Sequence, residues 1–164
     1  MTEENDTMGE NGQGRRWYLV ANGSRARAYV QRVGESGYDL VRSWDEPDAR
    51  ARDSELGEDR PGRVFASAGS TLRSGIERDA KDDSPKEHAR RDFLHGLAED
   101  LVAALRAGEA SGAVLIAPTP VLRQLKEEIP RALHDALHGE HPGDLTQLPT
   151  GELFERLDRI RRGI

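Results

Sequence analysis

From Ser84 to Gly108 the chain encodes a single helix, and the rest of the fold has to be arranged around it. Ser84 is a good N-cap, Pro85 suits the first helical position, and Glu87 completes a capping box with Ser84. Phe93, Leu94, Leu97, Ala98, Leu101, Val102 and Leu105 then recur at spacings of three and four, which predicts a helix over 85–107 with one apolar stripe, stopped by Gly108. Such a stripe must be buried against another layer. The run that follows, Ala113-Val114-Leu115-Ile116-Ala117, is apolar without interruption, as in a central strand covered on both faces.

The segments before the helix read as strands. Trp17–Ala21 is a short apolar run, and Asn22-Gly23-Ser24 supplies turn residues that tolerate positive φ. Ala26, Ala28, Val30 and Val33 alternate with Arg25, Arg27, Gln31 and Arg32, which predicts a strand with one polar face. Gly34–Gly37 reads as a hairpin loop and Tyr38–Trp44 as a third strand, so the ordered part opens with a three-stranded meander. After the central strand, Thr119 is expected to cap and Pro120 to open a helix through Leu122, Leu125 and Ile129. Pro130 would kink it, and Leu133 and Leu137 would carry its buried face on to Gly139. Residues 139–148 suggest at most a weak edge strand, because Pro142 and Gly143 oppose a regular one. The last helix runs from a Thr150 cap through Leu153, Phe154, Leu157 and Ile160 to Gly163. The expected class is α/β: a mixed five-stranded sheet in the ribonuclease-H-like arrangement, an antiparallel meander followed by α/β crossovers, with helices packed on it.

Length and composition set the outer limits. At 164 residues the chain is one domain, read as residues 15–164, preceded by a disordered acidic arm at 1–14. Leu, Ile, Val and Phe together are 33 residues, about 20% of the chain and at the border of what supports a core, so their clustering into periodic segments decides for folding. The absence of Cys excludes disulfides, thiolate metal sites and thiol catalysis. No apolar run reaches the about 20 residues of a membrane span, and the acidic N-terminus is unlike a signal peptide, so membrane insertion is not expected and a cytoplasmic location is.

The net charge of −6 conceals a blocked pattern. Residues 11–34 hold five arginines and no acid, 35–59 hold nine acids against three arginines, and 60–78 hold four arginines against Glu77. Within the long polar connection Asp45–Arg63, the string Asp59-Arg60-Pro61-Gly62-Arg63 predicts a tight turn projecting Arg60 and Arg63, with Asp59 capping the turn or orienting Arg60. Arg25, Arg27, Arg60 and Arg63 thus form a candidate phosphate-reading patch, since guanidinium forks match phosphate oxygens. The plainer alternative is that these arginines pair with the acidic segment. His134 and His138 would share a helix face as a candidate metal pair for a hydrolase, but Asp135 stands where a zincin needs Glu. The expected strands supply too few carboxylates for two-metal hydrolysis, and no nucleotide or nucleophile-elbow fingerprint occurs, so no catalytic residues are assigned and no cofactor is implied.

Several of these strings occur together in one family. Val20-Ala21-Asn22-Gly23-Ser24-Arg25-Ala26-Arg27, Asp59-Arg60-Pro61-Gly62-Arg63-Val64-Phe65, Val114-Leu115-Ile116-Ala117-Pro118, Leu122-Arg123-Gln124-Leu125, Gly139-Glu140 and Asp144-Leu145-Thr146 follow one another in its order. In these the chain resembles the bacterial host-attachment proteins, over about residues 17–160. That family is similar to the central domain of archaeal and eukaryotic peptide release factors, which implies the ribonuclease-H-like fold and an ancestral link to tRNA or ribosome binding. The Asp45–Arg63 loop lacks the Gly-Gly-Gln of those factors, so peptidyl-tRNA hydrolysis is not carried over. The expected function is a non-enzymatic binding protein contacting structured RNA or the ribosome, with a protein partner in attachment as the alternative.

Overall fold

The Trp17–Ala21 run lies at the centre of the molecule. In the computed structural model, which describes residues 15–50 and 84–163, it belongs to strand β1 (Arg15–Ala21). β2 (Arg25–Gln31) pairs antiparallel with β1, and β3 (Tyr38–Asp45) antiparallel with β2. On the other side β4 (Ala110–Ala117) runs parallel to β1 and β5 (Leu137–Pro142) parallel to β4. The result is a mixed five-stranded sheet in the order β3-β2-β1-β4-β5, an antiparallel meander followed by parallel strands, as expected. A four-residue helix α1 (Pro47–Arg50) follows β3.

Both faces of the sheet are covered. The long helix α2 (Pro85–Ala107) and α3 (Thr119–Glu128) pack on one face, placing Leu94, Leu97, Leu101, Leu122 and Leu125 over Trp17, Leu19, Val30 and Leu115. The sheet also gives this face Ala21, Ala26, Ala28, Ala110, Ala113 and Ala117, with the partly buried Val41, Trp44 and Leu137 packed against it. Helix α4 (Thr150–Arg162) covers the opposite face, where Leu153 and Leu157 meet Tyr18, Val20, Tyr38, Val114 and Ile116. This layer is aromatic, with Tyr18 and Tyr38 rings 5.6 Å apart edge-on and Tyr38 and Phe154 5.3 Å apart.

Helix α2 begins and ends where its sequence marks it. The Ser84 hydroxyl accepts from the Glu87 amide at 3.1 Å, which is half of the expected capping box, the Glu87 carboxylate pairing with Arg90, and Gly108, at φ 81°, ends the helix. Helices α3 and α4 begin differently from expectation: Pro118 and Pro149 occupy the N-cap positions without a side-chain cap, and Thr119 and Thr150 are the first helical residues. Val33 is not part of β2; it lies in the turn after it, 71% exposed.

The largest correction concerns residues 130–142. The helix stops before Pro130, whose ring and missing N–H cannot continue the hydrogen-bond ladder. A short 3₁₀ segment (Arg131–Ala136) follows, and Leu137 begins β5 instead of extending a helix. The expected edge strand exists, but it starts at Leu137, not Gly139. The 1–14 arm and the segment 51–83, including most of the Asp45–Arg63 connection, lie outside the described residues.

Candidate functional site

Among the described residues, the strings that contain Asn22, Ala117 and Asp144-Leu145-Thr146 meet at the carboxyl ends of the parallel strands. Asn22 follows β1 directly. Its side-chain oxygen accepts from the amides of Ser24 and Arg25, each at 2.9 Å, closing the turn into β2. No residue of this turn has positive φ, so it is the Asn22 side chain, not a left-handed backbone, that makes it. A Cβ at Gly23 would stand 2.5 Å from Cδ of Arg90, a side chain of α2 that pairs with Glu87, so a larger residue there would make that arginine shift.

The nitrogen of the same Asn22 amide donates to Asp144 at 3.2 Å and to the Thr146 hydroxyl at 3.0 Å. Asp144 also accepts from the Thr146 amide at 3.0 Å and its hydroxyl at 2.6 Å. Gly143, at φ 140°, donates its amide to the Ala117 carbonyl at 3.0 Å and so anchors this loop to the end of β4. Burial pushes the Asp144 carboxyl up, but the hydrogen bonds from Thr146 and Asn22 and the charge of Arg25 outweigh it and hold the group below its ordinary range. Open α/β sheets place their ligands outside the carboxyl ends of their strands. Sequence reasoning treated Asn22 only as a turn former; the signal that could have found the cluster was the joint presence of Asn22 and Asp144-Leu145-Thr146 among the family strings.

The predicted arginine patch is represented by half of its members. Arg25 and Arg27 lie on the α4-facing side of β2, two residues apart. Arg25 is held by Asp45 at 3.5 Å, across the strand pair that places them opposite one another. Arg27 has no ion pair among the described residues and lines a small cleft of about 170 Å³ with Val20, Tyr29, Thr146 and Thr150. Asp59, Arg60 and Arg63 lie outside the described residues.

The histidine pair is not brought together as a helical chelate. His134 sits in the 3₁₀ segment with Nε2 2.9 Å from the Ile129 carbonyl. His138 is in β5, where its Nδ1 accepts from Nε of Arg16 at 3.0 Å. The i, i+4 relation that would converge two imidazoles requires helix, and Pro130 removes it. Among the described residues no three His, Asp or Glu side chains stand close enough to hold a metal ion.

A five-stranded mixed sheet covered by helices on both faces, with a hydrogen-bonded polar corner at the carboxyl ends of β1 and β4, defines an α/β protein. The family model described as "protein required for attachment to host cells" matches residues 17–157, and the chain belongs to that family. That span runs from the first residue of the central apolar run to the last buried leucine of α4. No curated protein matches the chain. No described helix is long and apolar enough to cross a membrane.

Proposed function

We propose that this protein is a non-catalytic, cytoplasmic binding protein whose part in attachment is exerted by contacting structured RNA, as on the ribosome, through its arginines. The observation that carries the reading is the α4-facing side of β2, where Arg25 and Arg27 project together and Arg27 has no carboxylate partner among the described residues. A guanidinium without an ion pair among the described residues, in a cleft lined also by Thr146 and Thr150, suits a phosphate oxygen. The strand order, a meander followed by parallel strands, is compatible with a ribonuclease-H-like arrangement; the translation-related partner rests on the resemblance of the family to the release-factor central domain.

The test is a salt titration of binding to ribosomes and to structured RNA. Log K is expected to fall linearly with log salt, and Arg27→Gln to reduce the slope by about one phosphate contact. The pair Arg60→Ala and Arg63→Ala is expected to reduce it further. Binding that is absent, or indifferent to salt and to these variants, overturns the reading. The family description itself favours a second one, a protein-interaction factor acting at the cell surface. Fractionation that finds the protein exported, with no RNA binding, would select it.

A further inference from the structure

At the opposite end of β1 from Arg25 and Arg27 lies a second basic feature with a built cavity. Arg15, Arg16, Arg32 and Arg161 surround a space of about 470 Å³ together with Tyr18 and His138, and among the described residues no carboxylate lines it. Three separate segments converge here: the start of β1, the turn after β2, and the last turn of α4, with β5 closing one side. That volume is within the range of small-molecule sites and exceeds what a bare inorganic anion needs.

The charges in this cavity are not equivalent. Arg32 is neutralised by Asp39 at 2.9 Å and Arg161 by Asp158 at 3.4 Å. Arg15 and Arg16 have no ion pair among the described residues. The Arg15 Nη1 donates to the Gln31 carbonyl at 2.6 Å, but its Nε is buried without a hydrogen-bond partner among the described residues. A buried donor left unmade is costly and calls for an acceptor.

The fold also makes room for the imidazole. The register of β4 and β5 shifts between Ala113 and Val114, so that His138 is the extra residue of a bulge. Its ring packs against Gly112, where a Cβ would collide with it. Accepting from Arg16 at Nδ1 leaves the ring neutral with its proton on Nε2, a second donor that adds no repelling charge.

We propose that this cavity binds a phosphate group, gripped by the forks of Arg15 and Arg16 with the His138 Nε2–H and Arg161 closing around it. A planar fork that presents parallel N–H donors is the group best matched to phosphate oxygens, and two forks without carboxylates supply the charge a phosphomonoester carries. The space beyond the anion suits the remainder of a phosphorylated compound: a small metabolite, or the 5′ end of an oligonucleotide.

The experiment is a titration of the full chain, followed by NMR of the arginine Nε–H and histidine ring resonances. Inorganic phosphate and then adenosine monophosphate serve as probes. Saturable shifts are expected at Arg15, Arg16 and His138, with affinity reduced tenfold or more in Arg16→Gln and in Arg161→Gln. Arg106→Gln, on the exposed last turn of α2, is the control expected to bind as the parent does. A 5′-phosphorylated trinucleotide that binds more tightly than both adenosine monophosphate and its 5′-hydroxyl counterpart assigns the site to nucleic-acid ends. Equal or weaker binding of the trinucleotide assigns it to small phosphomonoesters. No saturable shift with any probe, or unchanged affinity in Arg16→Gln and Arg161→Gln proteins that melt like the parent, overturns the proposal. RNA binding through Arg27 can fail without altering any of these outcomes.

Discussion

The side-chain amide of Asn22 lies 3.2 Å from the carboxylate of Asp144, so the turn that ends the central strand and the loop that follows the last strand are held by one side chain. The oxygen of that amide shapes the turn and its nitrogen reaches the loop, and no other side chain of similar size supplies both. Asn22→Ala is expected to lower the unfolding free energy by about 1–3 kcal/mol, the cost of leaving part-buried partners unsatisfied. Asn22→Asp keeps the turn acceptor but sets a carboxylate against Asp144, so at neutral pH it should also destabilise, and acidification should relieve it. Urea unfolding of both variants at pH 7 and pH 4 (about the carboxylate range) checks this; equal stability of Asn22→Ala and the parent would show that the amide ties nothing.

Asp144 makes the corner sensitive to acid. Its folded pKa lies below the unfolded value of about 3.9, so its contribution is present above that value and is lost as pH falls through the folded one. Asp144→Asn should therefore be less stable than the parent near neutrality and converge with it under strongly acidic conditions. A stability difference that stays constant over the whole titration would mean that the charge is not involved.

His95 has the opposite sign. Its imidazole bridges α2 and α3, with Nδ1 2.8 Å from Glu128 and Nε2 3.2 Å from Glu99. The hydrogen bond to Glu128, followed by the charges of Glu128 and Glu99, raises its pKa above the ordinary value. The stabilisation is complete below the unfolded pKa of about 6.5 and disappears as pH rises through the folded one. His95→Gln should remove this component of the pH dependence, and the His95 ring resonance should titrate above about 6.5. A midpoint at or below that value would contradict the bridge.

The seat of His138 is a matter of volume. Gly112→Ala would drive a methyl group into the imidazole and is expected to cost about 1–3 kcal/mol, as overpacking does. Combining it with His138→Ala should recover much of that loss, which a double-mutant cycle of thermal or urea unfolding would measure. Additive effects would mean that the ring moves aside freely.

What could be read from the sequence was local. Ser84, Glu87 and Gly108 mark the ends of α2 because capping chemistry acts within one turn, and Leu94, Leu97 and Leu101 mark its buried face because the helical period is fixed. Residues 130–142 misled because Leu133 and Leu137 continue a helical spacing. Pairing of Leu137 with Ala113 of β4, which no short-range pattern reports, decides for a strand. The arginine block at 11–34 was visible as composition. Its division into Arg25 and Arg27 at one end of the sheet and Arg15, Arg16 and Arg32 at the other follows from the antiparallel fold-back of β2 on β1. Asn22 and Asp144 are 122 residues apart, so their contact exists only once β1, β4 and β5 are side by side.

The strand β2 alternates Ala26, Ala28 and Val30 with Arg25, Arg27 and Tyr29, and only the first three face the long helix. A shift of one position along β1 would push Arg25, Arg27 and Tyr29 into gaps shaped for methyl groups and strip the aromatic layer of its lining. In a protein with so few bulky apolar residues, misalignment of the hairpin is thus penalised by both steric conflict and stranded charge, and correct threading is enforced without a large oily interior.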